Sequence, residues 1–344
     1  MMKKYVFPAL VAFVFIAAIS SWFIWWRPLG QASDRLIDKL YGQVQQVVIE
    51  NAPIVERFGE WVETARSTES ATLYDEQGQV SEIRRYRPDN QLDYRITYTY
   101  SEDKLLGETS FDPRGFSLYK WSRLYNENGQ LITLTGYNRA GELDFRTAHS
   151  YDAEGRLASE TSYNPDGTLS YIAEQRYKAE GYERETRYYL PGNSVDYIAL
   201  EIFDATERRL EEKATTPEGE LLYRVTYRYD PTGNLSEELA YQADGVQQYR
   251  LSNRYDKNGN LLESIEYDAD NEPFFRYRYS YDERGNVLER SSITADGSES
   301  VSRYSYQFDA MGNWIEKRTE KRVEKFDKQV FEPSEVSYRM IAYY

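Results

Sequence analysis

The sequence predicts an all-β repeat protein: an antiparallel β-meander of about twenty strands, curling into a twisted superhelix or partial shell. Three observations predict it. First, a Tyr-Asp-type anchor recurs at Tyr74, Tyr100, Tyr125, Tyr151, Tyr177, Phe203, Tyr229, Tyr255, Tyr281 and Phe308, nearly always 26 residues apart. Second, each unit carries two turn signals. One is Tyr-Asp-x-x-Gly, as in "YDPTGNL" from Tyr229; the other lies about 13 residues on, as in "NPDG" ending at Gly167 and "QADG" ending at Gly245. Asp suits the first position of a type I turn and Gly the left-handed residue that closes a three-residue hairpin loop. Third, the segments between turns alternate with period two and gather Tyr and aliphatic residues on one face. A sheet with one apolar face needs a cover, and the units contain no helical segment to supply it, so the sheet is expected to curl upon itself.

The elements follow in chain order. Residues 1–30 read as a cytoplasmic tip and a transmembrane signal-anchor. The weakly polar or apolar run from Tyr5 to Trp26 is 22 residues, roughly 33 Å as a helix against a bilayer core of about 30 Å. Lys3 and Lys4 precede it and favour a cytoplasmic N-terminus, and Trp22, Trp25 and Trp26 suit an interfacial belt. Cleavage of this segment as a signal peptide near Ser21 is the rival reading. Residues 31–73 read as a helical linker or N-cap, with Leu36, Leu40, Val44, Val47 and Val48 spaced as an amphipathic helix over Ser33 to Glu50. Residues 74–313 are the 26-residue units. Residues 314–344 read as a C-terminal β cap.

In these units Tyr229-Asp230, Gly233-Asn234-Leu235 and the closing Arg254-Tyr255-Asp256 resemble the YD repeats of the rearrangement-hotspot and teneurin group. The C-terminal stretch from Gly312 resembles the end segment of bacterial members. The resemblance covers about 240 of the 344 residues and implies a β-sheet spiral that can form a hollow shell. Neither a self-cleaving domain nor a C-terminal toxin domain is recognisable in the sequence.

Composition narrows the function. The formal charge is −15, which disfavours nucleic acid as a partner. With no Cys and a single His, His149, thiol chemistry, a His-rich metal site and a His-based triad are not expected. No cofactor motif is present. The loop at Asp256 lacks the full ligand spacing of a calcium loop. The most pointed pattern is a carboxylate column eight residues after the anchor: Glu82, Glu108, Glu185, Glu211, Glu237, Glu263, Glu289 and Glu316. Counting from the turn at Asp230 places Glu237 opposite Tyr227 on the Tyr-rich face. A second column, Arg95, Lys120, Arg146, Arg224, Arg250, Arg276 and Arg303, falls on the other face. The candidate binding face is therefore Tyr98, Glu108, Tyr227, Glu237, Glu263, Tyr277, Tyr279 and Glu289. A column repeated in most units is architecture before it is an active site, so no enzyme is expected. The expected function is a membrane-anchored, exported, non-enzymatic protein binding carbohydrate or protein at the cell envelope. The alternative is a toxin-system partner, either an immunity protein or a shell remnant; a glycoside-active enzyme ranks last.

Overall fold

The computed structural model describes residues 34–344. After a short helix α1 (Asp34–Ile37), the chain is strand throughout: β1 (Val44–Arg57), β2 (Glu60–Glu63), β3 (Ser67–Tyr74), then β4 to β22 in succession, and β23 (Lys328–Tyr343). Every neighbouring pair from β3 to β23 is antiparallel, as a meander requires. β1 then pairs with β23, from Val44↔Tyr343 to Pro53↔Glu335. It also pairs with β3, from Gln46↔Leu73 to Asn51↔Ser67. The result is a closed barrel of 22 strands, with β2 folded back on β1 outside the ring.

This corrects the expected open superhelix or partial shell. The repeats encode hairpins, and a hairpin array has two free edges. β1, which lies outside the repeats, covers both. The same strand corrects the helix expected over Ser33 to Glu50, of which only Asp34–Ile37 is helical. Gly42 has φ 82°, and from Val44 the β-branched Val47, Val48 and Ile49 pack on a pleated surface. Val44 and Val47 join Leu40 and Tyr74 in a small core that seals the seam. The expected membrane helix over residues 5–26 lies outside the described residues. Among the described residues no helix is long and apolar enough to cross a membrane, and the single-pass, helix-anchored placement is set aside.

The turns follow the motif. Asp230 N donates to Asn234 O at 2.9 Å, and Gly233 N to Asp230 O at 3.0 Å. Asp230 Oδ1 accepts the backbone N–H of Thr232 and of Asn234, each at 2.9 Å. The anchor Tyr has its own task. Its hydroxyl donates to a backbone carbonyl where the neighbouring strand begins, for example Tyr151 to Leu131 at 2.8 Å, Tyr229 to Arg209 at 2.8 Å and Tyr281 to Leu261 at 2.7 Å. These bonds stitch one repeat to the next beside the turns.

The register departs from the expected one in one respect. Tyr229 lies opposite Leu235, but a shift between Arg228 and Tyr229 leaves one extra residue on β16 (Leu235–Gln242). Glu237 therefore faces Arg228, and Glu238 faces Tyr227. One bulge flips every later side chain of the strand.

Candidate functional site

The barrel wall has two chemically distinct faces. On one, the Glu column meets the Arg column, and the pairs lie about half a repeat apart in sequence. Arg250 lies 3.0 Å and Arg228 2.8 Å from Glu237; Arg224 lies 2.8 Å from Glu211; Arg303 lies 2.8 Å from Glu289. Glu263 is held among Arg254, Arg276 and Arg278 at 3.9, 3.9 and 3.0 Å. Glu237, Glu263 and Glu289 thus leave the expected binding face. They form a half-solvated ion-pair ladder with the Arg column, which had been expected across the sheet from them.

The other face carries the Tyr side chains. Here Glu108 is buried, and so, one on each of seven successive strands, are Thr147, Ser162, Ala173, Thr186, Ala199, Ala214 and Val225. Such crowding marks the concave side of a closed sheet, where side chains converge. Tyr98, Tyr227, Tyr277 and Tyr279 stand on it as expected. So does Glu108, which pairs with Tyr98. Glu108 escapes the flip because its loop is one residue shorter, with Ser101 paired directly to Lys104; the 25-residue step from Tyr100 to Tyr125 is its trace in the sequence. Burial pushes the Glu108 carboxyl up, opposed by Arg123 at 3.7 Å.

The other acids on this face lie outside the column that the sequence marks. Glu160, Glu212 and Glu238 stand nine residues after their anchors, and counting the bulge would have found them. Glu160 lies 3.6 Å from His149 Nε2 and 3.7 Å from Arg184, and accepts the Tyr171 hydroxyl. Burial works against its charge, but these partners outweigh it and hold the carboxyl below its ordinary range. Arg184 continues to Glu201 at 3.9 Å, and Arg209 joins Glu201 at 3.0 Å to Glu212 at 2.6 Å. Glu212 also accepts the Tyr223 hydroxyl at 2.7 Å. This line is a charged network running from strand to strand, within which His149 Nδ1 and Arg184 Nε are buried without a hydrogen-bond partner among the described residues.

Beyond it the pattern opens. Glu238 lies opposite Tyr227 and Leu251. Leu251 lies opposite Glu266, and Glu266 opposite Phe275. Tyr249, one position along the face from Leu251, feels both carboxylates. Tyr277 stacks beside Phe275, ring centroids 6.1 Å apart, under Arg290 at 5.5 Å. Among the described residues neither Glu238 nor Glu266 has a hydrogen-bond or ion-pair partner, and burial raises both carboxyls. Two free acids separated by one strand, roughly 10 Å, and flanked by aromatic rings form the candidate site. No group of three or more metal-ligating side chains occurs among the described residues.

No family model matches the chain, and no curated protein matches it either. Among solved structures, a porin-like protein from Bacteroides uniformis aligns at 14% identity and a TM-score of 0.27, covering 87% of this chain and 96% of that one. A porin-like protein from Bacteroides vulgatus aligns at 11% identity and a TM-score of 0.20, covering 88% and 98%. The Tc holotoxin pore of Photorhabdus luminescens aligns at 13% identity and a TM-score of 0.22, covering 77% of this chain and 19% of that one. At these scores the closure of the barrel rests on the pairing of β1, not on the alignments. Membership of the YD-repeat group is withdrawn: no family model carries it, and the closed 22-strand barrel replaces the spiral it implied.

Proposed function

We propose that the protein is a non-enzymatic binding barrel that holds an extended, uncharged carbohydrate along its concave Tyr face. The observation that carries this reading is the patch of free carboxylates and aromatic rings over Glu238, Tyr249, Glu266, Phe275 and Tyr277. Carboxylates accept hydrogen bonds from sugar hydroxyls, and rings supply flat apolar area for the sugar faces. Several such contacts along one wall suit a polymer, since weak subsites add when engaged together. The opposite wall supports the same reading. A membrane-spanning barrel turns an apolar band about 25 Å tall toward lipid; here that level carries the ion-pair ladder at Glu211, Glu237, Glu263 and Glu289.

The test is calorimetric titration with neutral oligosaccharides of increasing length. Affinity should rise with chain length and change little between low and high salt. Tyr249→Ala and the pair Glu238→Gln/Glu266→Gln should each weaken binding about tenfold, equivalent to about 1.4 kcal/mol. Glu237→Gln, on the ion-pair wall, should leave it unchanged. Strong salt dependence with basic peptides, or capture of a cognate toxin with no sugar bound, would refute the reading.

A further inference from the structure

The most exposed large apolar side chains of the described residues sit at the tips of two neighbouring hairpins. Phe58, between β1 and β2, is 107% exposed, and Phe326, between β22 (Trp314–Lys325) and β23, is 97% exposed. Both adopt the left-handed backbone region, with φ 54° and 51°. Tight hairpin turns favour Gly, Asn or Asp there, and a bulky aromatic is disfavoured. Asn90, Asn193 and Asn271 take that conformation in turns at the same end of the barrel. The two Phe therefore gain nothing from packing within the described residues and fit their turns poorly, which leaves contact with something beyond those residues as their use.

The tips also stand clear of the wall. β22 last pairs with β21 (Glu299–Phe308) at Lys321 and runs on to Lys325, about 13 Å of strand. β1 last pairs with β3 at Asn51 and runs on to Arg57. The two hairpins are tied side by side: Lys325 lies 3.6 Å from Glu56 and 5.8 Å from the Trp61 ring. Within each hairpin the backbone groups are paired across the turn, from Arg57↔Glu60 and Lys325↔Lys328 downward. Such a tip enters an apolar phase without exposing bare peptide groups.

We infer that this end of the barrel docks on a lipid bilayer interface, with Phe58 and Phe326 as wedges. A convex pair of single rings offers no groove to grip a folded partner but suits a fluid phase that closes around it. Trp61 and Lys325 stand behind the wedges, an amphipathic pair of the kind that settles at headgroup level. Phe116 and Val246, in other turns at this end, are also exposed. The local charges nearly cancel, with Arg57, Lys325 and Lys328 against Glu56, Glu60, Glu324 and Asp327. With an acidic chain behind them, the lipid surface addressed is zwitterionic rather than anionic.

The chain has no cysteine, so one introduced thiol gives one label. The full-length protein carrying Lys328→Cys, labelled with an environment-sensitive fluorophore, is mixed with phosphatidylcholine vesicles; Thr232→Cys, in a turn at the other end, is the control. The label at 328 should shift to the blue and be quenched by nitroxide on the lipid chains, and the label at 232 should not. The described chain begins at Asp34, beside the anchor turns where Thr232 also lies, so a contribution from residues 5–26 would fall on the label at 232 and cannot mimic a response confined to 328. Phe58→Ser/Phe326→Ser in the Lys328→Cys background should reduce the response at least tenfold with an unchanged β circular dichroism signal. The inference is overturned if the label at 328 stays in water, if both labels respond alike, if the response survives the double substitution, or if a vesicle-free, concentration-dependent response shows that the tips meet a second copy.

Discussion

Removing an anchor hydroxyl while keeping its ring isolates the stitch between repeats. Tyr229→Phe deletes one oxygen and no apolar surface. What is lost is the bond to Arg209 O at 2.8 Å, and the carbonyl it served keeps only its remaining contacts. A neutral hydrogen bond of this kind contributes about 1 kcal/mol, within roughly 0.5–1.5 kcal/mol. Tyr177 and Tyr281 make the same bond to Leu157 at 2.9 Å and Leu261 at 2.7 Å. The three anchors are two repeats apart and share no partner, so the triple variant should lose about 3 kcal/mol by addition. Urea unfolding followed by circular dichroism and by Tyr fluorescence measures both. The midpoint should fall in proportion, with the slope unchanged. A loss under about 0.3 kcal/mol for the single variant would refute the stitch. A triple loss far above the sum of the singles would show instead that the column acts as one cooperative strip.

Further outcomes follow from the turns, the wall and the seam. Asp230 is held down to about 2, first by the Thr232 hydroxyl and then by Asn234, and Asp204 to about 2 against its burial by Arg208 and Thr206. Stability from these groups is complete above their ordinary value near 3.8 and is lost as pH falls through about 2; Asp230→Asn should flatten that acid limb in a pH series of urea melts. Glu238 and Glu266 are raised by burial, so their contribution is complete below the ordinary value of 4.5 and is lost as pH rises through their folded values; Glu238→Gln/Glu266→Gln should raise the midpoint at pH 7 and not at pH 4. At Gly136 an added Cβ would stand 2.2 Å from the Phe145 ring, so Gly136→Ala should destabilise by about 1–3 kcal/mol, and Phe145→Leu should recover part of it in the double variant. Val336 is fully buried where β23 meets β1, so Val336→Asp should speed hydrogen exchange first in β1 and β23, with the distant hairpins over residues 181–229 following only on global unfolding.

The turns were legible because their chemistry is local. Asp230 and Gly233 specify a loop without reference to the rest of the chain, and the expected pairing of Asp230 with Asn234 is present. The face of each acid was not, because it depends on one bulged residue after the loop. Counting by twos from Tyr229 put Glu237 beside Tyr227, whereas the shift gives that place to Glu238. Glu108 kept its expected face only because a shorter loop changed the count the other way. The closing strand was hidden for another reason. Val44, Val47 and Val48 satisfy helical spacing as well as strand chemistry, and only the presence of two bare edges to fill decides between them. The candidate site inherits the first error: its rings were in view at Tyr227 and Tyr277, and its carboxylates lay one residue beyond the column that drew notice.

β1 acts as a clasp that is not itself one of the links. It pairs with β3, where the first repeat begins, and with β23, which follows the last, and it makes no demand on how many repeats lie between. Each link adds two strands, so any whole number preserves the antiparallel order at the clasp. Gain or loss of one repeat would change the girth by roughly 10 Å and the bore by about 3 Å. A chain built this way can be re-gauged by duplication or deletion of a 26-residue block without redesigning its fastening.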